Sequence, residues 1–102
     1  MALKPALTSS QKRYLRGLAH ALKPVILVGG KGVSDGLLAE LDLALERHEL
    51  LKARIAAEDR DQRDAWIVQL TQRSGAELIQ RVGNTATLFR PNREAPRIVL
   101  PR

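Results

Sequence analysis

Gly29-Gly30-Lys31-Gly32 has the residue types and the spacing to hold an anion. Glycines let a backbone approach a phosphate with no Cβ in the way, and Lys31 places a charge at the tip. The loop follows the strand-like run Val25-Ile26-Leu27-Val28 and precedes Ser34, a good helix N-cap. A helix starting there would aim free N–H groups and a positive dipole end at the same anion. A tight strand-to-helix turn also uses glycine, so a purely structural reading stands beside the anion-binding one. Two nucleotide motifs do not fit. A P-loop needs G-x-x-x-x-G-K-[S/T], whereas Lys31 precedes the last glycine here. A dinucleotide fingerprint needs G-x-G-x-x-G, and Gly30 to Gly36 has one residue too many.

A second group of cations lies upstream. Leu15, Leu18, Ala19 and Leu22 recur at the spacing of a buried helical stripe. At 100° per residue, Lys12, Arg16 and Lys23 share one flank of it, with Arg13 and His20 just beyond. Such a flank can be a plain solvated face, but solvated faces usually mix signs. The glycine loop is of the type with which KH domains clamp a single-stranded nucleic-acid backbone.

Little else suits chemistry. Cysteine is absent, which excludes disulfides, thiolate zinc sites and thiol catalysis. His20 and His48 are the only histidines, and neither stands in a metal-ligand spacing. Ser9, Ser10, Ser34 and Ser74 have no His–acid grouping near them in sequence. Glu58, Asp59 and Asp61 read as a helix entrance, where acids favour the dipole, rather than a cation site. No catalytic residue, metal or cofactor is expected, so the chain is not read as an enzyme.

The balance of charge points to a polyanionic partner. In 102 residues the formal net charge is +6, from 17 Lys and Arg against 11 Asp and Glu. Residues 1–24 carry +5, 25–50 carry −3, 51–75 carry +1 and 76–102 carry +3. The ends are basic and the middle acidic, which implies a basic face rather than a uniform coat. A nucleic acid is the usual partner for such a balance, an anionic membrane a less common one. The first helix has too narrow an apolar face outside its core role to lie on a membrane. No apolar run approaches the roughly 20 residues of a membrane span, and the N-terminus lacks a signal-peptide core, so a cytoplasmic location is expected.

These residues need elements to position them. Thr8-Ser9-Ser10 opens the first helix, and Pro24 stops it. Val25 to Val28 reads as a short strand buried on both sides. The second helix follows Ser34 and buries Leu37, Leu38, Leu41, Ala44 and Leu45, with Val33 and Leu38 placed for a hydrophobic staple. Glu40, Asp42, Glu46 and Glu49 form its acidic outer surface. Leu50 to Ala57 alternates as a strand. A third helix runs from about Asp61 to Arg73, with Gly75 as its stop. Glu77 to Val82 and Thr85 to Arg90 flank Gly83-Asn84, a Gly-first hairpin turn. Ile98-Val99-Leu100 is placed to add an edge segment. The fold class is therefore α/β (α+β) in two layers, with order α-β-α-β-α-β-β, a mixed four-stranded sheet and three helices.

Several of these runs in the same order resemble the CRM domain (chloroplast RNA splicing and ribosome maturation), and in particular its stand-alone bacterial YhbY-like members. They are Leu18-Ala19-His20, Leu22-Lys23-Pro24-Val25, Val28 through Gly32, His48 through Ile55, and Gly83 through Pro91. The likeness spans about Ser9 to Arg97, giving one RNA-binding domain over 1–97 and a short tail over 98–102. It implies a fold similar to the C-terminal domain of translation initiation factor three. It implies an RNA surface made of the loop and neighbouring bases. By position these are Gly29, Gly30, Lys31 and Gly32, with Lys12, Arg13, Arg16 and Lys23 as the second contact. Arg54 and Arg90 are expected to extend that basic surface. Gly30 offers no side-chain contact to carry over from a loop with a polar residue there. The implied role is binding ribosomal RNA in precursors of the large (50S) subunit during assembly, as a monomer. With so few aromatics, base stacking would fall to Tyr14, Trp66 or Phe89. The alternative is a protein–protein adaptor docking on ribosomal or assembly proteins through the acidic second helix.

Overall fold

A computed structural model of the protein describes residues 6–102. Its elements follow the expected order: α1 (Ser9–Ala19), β1 (Ile26–Val28), α2 (Asp35–His48), β2 (Leu50–Ile55), α3 (Arg60–Ser74), β3 (Glu77–Val82) and β4 (Thr85–Phe89). The sheet runs β1-β2-β4-β3, with β1 parallel to β2 and the other pairs antiparallel. Local chemistry sets the boundaries. Thr8 forms a capping box with Gln11, Ser34 caps α2, Asp59 caps α3, and Gly75 ends α3 at a φ of 77°. At Gly83 φ is 58°, as a Gly-first hairpin requires.

Side chains alternate between the two faces of the sheet. Ile26, Val28, Leu51, Ala53, Ile55, Ala86 and Leu88 meet Leu41 and Leu45 of α2 and Ile67 and Leu70 of α3 in the main core. The opposite face carries a smaller core, where Leu15 and Ala19 of α1 pack on Leu50, Ile79 and Phe89. Ile79 reaches it through an irregularity in the β3–β4 register between Leu78 and Gln80.

Two expectations fail at α1 and β1. The helix stops at Ala19, before Pro24, because the Leu22 N–H donates to the Ala19 carbonyl in a turn. Leu18 and Leu22 are therefore exposed and Lys23 is not on the helix. The short helix contacts β2 and β3 and leaves β1 uncovered. Leu27 is 60% exposed, so β1 is buried on one side only. Half of this sheet face, bearing Leu27, Arg54, Thr85 and Val82 in one cross-strand row, stays open.

The C-terminal segment is held by α2. Glu49, 1% exposed and at a φ of 62°, accepts the backbone N–H groups of Asn92 at 2.7 Å, Arg97 at 3.0 Å and Ile98 at 3.0 Å. Burial alone would raise its pKa. The three N–H donors and the nearby Arg97 outweigh that and hold the carboxyl below its ordinary value. Ile98 and Leu100 pack against the smaller core, and the Gln11 Nε2 donates to the Pro101 carbonyl at 2.9 Å. Residues 98–102 thus join the packing and form no edge strand.

Candidate nucleic-acid interface

The glycine loop joins β1 to α2 as a closed turn. The Gly32 N–H donates to the Gly29 carbonyl at 2.9 Å, and the Ser34 N–H donates to the Gly32 carbonyl at 3.1 Å. Gly32 has a φ of 68°, and a Cβ there would stand 3.0 Å from the Trp66 indole. Its glycine is needed by the fold. Gly29 and Gly30 differ: neither has a positive φ, and a Cβ on either meets nothing within 4 Å. Nothing inside the protein requires glycine at those two positions. Bare backbone there leaves room for a group approaching from outside.

The loop offers less helix dipole than its sequence suggests. The Ser34 hydroxyl already accepts the Leu37 N–H at 3.2 Å, and Asp35 adds an acid to the first turn of α2. What remains for an anion is the exposed Lys31 and the N–H groups of Gly30 and Lys31, which donate to no described residue.

The structure divides the cations into two populations. Arg90, Arg93 and Arg97 are neutralised at home. Arg90 is 5% exposed; its Nη1 donates to Asp42 Oδ1 at 2.8 Å and to the Ser74 carbonyl at 2.7 Å, and its Nη2 to Glu46 Oε1 at 3.0 Å. Arg93 pairs with Asp42 and Glu46, and Arg97 with Glu49. Arg90 is thus corrected from a surface contact to a buried structural residue: its Nη1 and Nη2 are taken up by two carboxylates and two carbonyls, and its buried Nε has no partner among the described residues. On the acidic surface of α2 the same pairs engage Asp42 and Glu46, and Glu49 is buried, while Glu40 stays exposed and unpaired among the described residues. By contrast Lys12, Arg13, Arg16, Lys23, Lys31, Lys52 and Arg54 pair with no carboxylate among the described residues, and neither do Arg47, Arg60, Arg81 and Arg102 elsewhere on the chain.

Of these, Arg16, Lys23, Lys52 and Arg54 converge. Arg16 and His20 at the end of α1 share a cleft with Lys52 of β2. Lys23 and Arg54 line an adjoining groove with Leu27 and Ala56, and Pro24 belongs to both. The Ala56 N–H donates to the Val28 carbonyl at 2.8 Å, so the groove ends one residue before Gly29. Lys12, half-buried, and Arg13, exposed, lie nearer the start of α1 and line neither depression. Of the aromatics, Tyr14 is exposed, Trp66 lies beneath Gly32, and Phe89 is buried in the smaller core and open to no base. Lys52 is the cation that sequence reading leaves out. Its alternation with Ala53 and Arg54 is the signal, but only the short α1 and the strand order show that it faces open space.

Among the described residues no group of three or more His, Asp or Glu converges as a metal site, and no helix is long and apolar enough to cross a membrane.

Comparison with known proteins finds relatives over nearly the whole chain. Residues 7–90 match the family model described as the CRS1 / YhbY (CRM) domain. A Haemophilus influenzae protein named RNA-binding protein is 42% identical over 96 residues, covering 94% of this chain and 96% of that protein. The Bacillus subtilis protein YqeI, named a probable RNA-binding protein, is 36% identical over 95 residues, covering 93% of this chain and 99% of its own length. A solution structure of a Staphylococcus aureus protein superposes with a TM-score of 0.79 at 32% identity, covering 94% of this chain and 100% of that one.

Proposed function

Since the chain belongs to the CRS1 / YhbY (CRM) domain family, we propose that it is a non-enzymatic RNA-binding protein that grips the RNA backbone. The observation that carries this reading is the division of charge. Carboxylates occupy the C-terminal arginines Arg90, Arg93 and Arg97, while the cations of α1, the glycine loop and β2 are left unpaired around an open surface. Lys and Arg that neutralise phosphates release counterions, so binding is expected to fall steeply with salt. Lys31 and the bare backbone at Gly29 and Gly30 form the clamp, and Arg16, Lys23, Lys52 and Arg54 continue the contact.

We further propose that the RNA is ribosomal, in precursors of the large subunit, and that the chain acts as a cytoplasmic monomer during assembly. This finer reading rests on the resemblance to stand-alone bacterial members of the family. Crosslinking the protein to RNA in cells and sequencing the attached fragments tests it. The expected result is enrichment of large-subunit ribosomal RNA, including unprocessed ends; reads spread evenly over cellular RNA overturn it.

A further inference from the structure

The cleft between α1 and the open half of the sheet has a volume of about 420 Å³. Its floor is a cross-strand row in which Lys52 faces Thr87 and Thr87 faces Gln80. Thr87 is 3% exposed, yet its hydroxyl makes no hydrogen bond with any described residue. The Gln80 amide is exposed and equally unengaged. The Thr87 hydroxyl lines the cleft, where a ligand atom can reach it, beside an amide that can both donate and accept.

The rest of the lining narrows the occupant. Arg16 and Lys52 supply positive charge and no carboxylate lines the cleft, so the occupant is anionic. Leu22, Pro24 and Val82 supply apolar surface for a flat ring. The depression shares Pro24 with the Lys23–Arg54 groove, whose Ala56 is hydrogen-bonded to Val28, the residue before the glycine loop. Negative charge, a flat face and a hydrogen-bonding edge together describe a nucleotide.

We propose that this cleft is a base-reading subsite: it takes one unstacked nucleotide of the strand whose backbone the loop holds. Gln80 and Thr87 meet the base edge, and Arg16 and Lys52 meet its phosphates. The proposal rests on the RNA-binding reading and adds sequence preference to it. Two hydrogen bonds of ordinary net strength correspond to a preference of about 5- to 150-fold.

The test is fluorescence anisotropy with short labelled oligo(rA), oligo(rC) and oligo(rU), using the wild type, Gln80→Ala, Thr87→Val and Lys31→Glu. The wild type is expected to rank the three RNAs over that range. Gln80→Ala, at an exposed position, is expected to compress the ranking to about its square root without changing the salt dependence, and Thr87→Val to do the same if its melting temperature is kept. Lys31→Glu is expected to weaken all three and preserve their order. A wild type that binds all three equally, or a Gln80→Ala protein that keeps the ranking, overturns the subsite and leaves RNA binding standing. A wild type that binds none of them overturns both.

Discussion

Replacing Gly32 by alanine separates the structural glycine of the loop from the two that face outward. At a φ of 68° an alanine sits in the left-handed region, costing about 1–2 kcal/mol. Its Cβ would also meet Trp66 Cε2 at 3.0 Å, and Trp66 packs against the main core and cannot swing freely. Crowding of that kind costs about 1–3 kcal/mol. The alanine removes some freedom from the unfolded chain, which offsets about 0.4–1 kcal/mol. The expected net loss is about 1–5 kcal/mol, centred on about 3, or a fall in Tm of about 4–8 °C for each kcal/mol in a domain of this size. Gly30→Ala meets nothing within 4 Å and no positive φ, so it should leave stability within about 1 kcal/mol of the wild type. Urea unfolding followed by circular dichroism measures both. A Gly32→Ala protein as stable as the wild type, or a Gly30→Ala protein as damaged as Gly32→Ala, would refute the assignment of separate roles.

Two further substitutions test how the C-terminal segment is held. Glu49→Gln should lose about 1–3 kcal/mol at neutral pH, because one charged acceptor of three N–H groups is gone. The folded state holds the Glu49 carboxyl below 4.5, so its stabilisation is complete above that value and is lost as pH falls through the depressed folded pKa. Acid unfolding of the wild type should therefore steepen below about pH 4.5, and Glu49→Gln should lack that component; identical acid profiles would contradict it. Arg90→Ala should cost about 2–3 kcal/mol, less than for a fully buried pair because Asp42 is 45% exposed. Its folded fraction should bind RNA as the wild type does, and a selective loss of RNA affinity in a stable protein would return Arg90 to the binding surface.

The element order is legible from sequence because the caps and the alternation are local. Thr8, Ser34, Gly75 and Gly83-Asn84 each mark a boundary through their own backbone chemistry, and the structure places boundaries there. The glycine loop is legible for the same reason. The fate of the charges is not. Arg90 and Asp42 are 48 positions apart, and Glu49 meets Asn92, Arg97 and Ile98 only after the C-terminal segment folds back over α2. A segment sum counts Arg90, Arg93 and Arg97 as free charge, whereas pairing withdraws them. The early end of α1 is equally hidden, because Pro24 is the obvious stop and the turn at Ala19 leaves no mark of its own. That difference of a few residues decides whether the sheet face is covered or open.

The salt dependence of binding to a single-stranded RNA tests the division of charge most directly. Affinity is measured over a range of salt for the wild type, Lys31→Gln, Arg54→Gln and Arg93→Gln. Each phosphate contact on a single strand contributes about 0.7 to the slope of log affinity against log salt. Lys31→Gln and Arg54→Gln should each flatten the slope by about that amount, while Arg93→Gln, whose charge is paired with Asp42 and Glu46, should leave it unchanged. A slope near zero in the wild type, or a loss in Arg93→Gln equal to that in Lys31→Gln, would contradict the account.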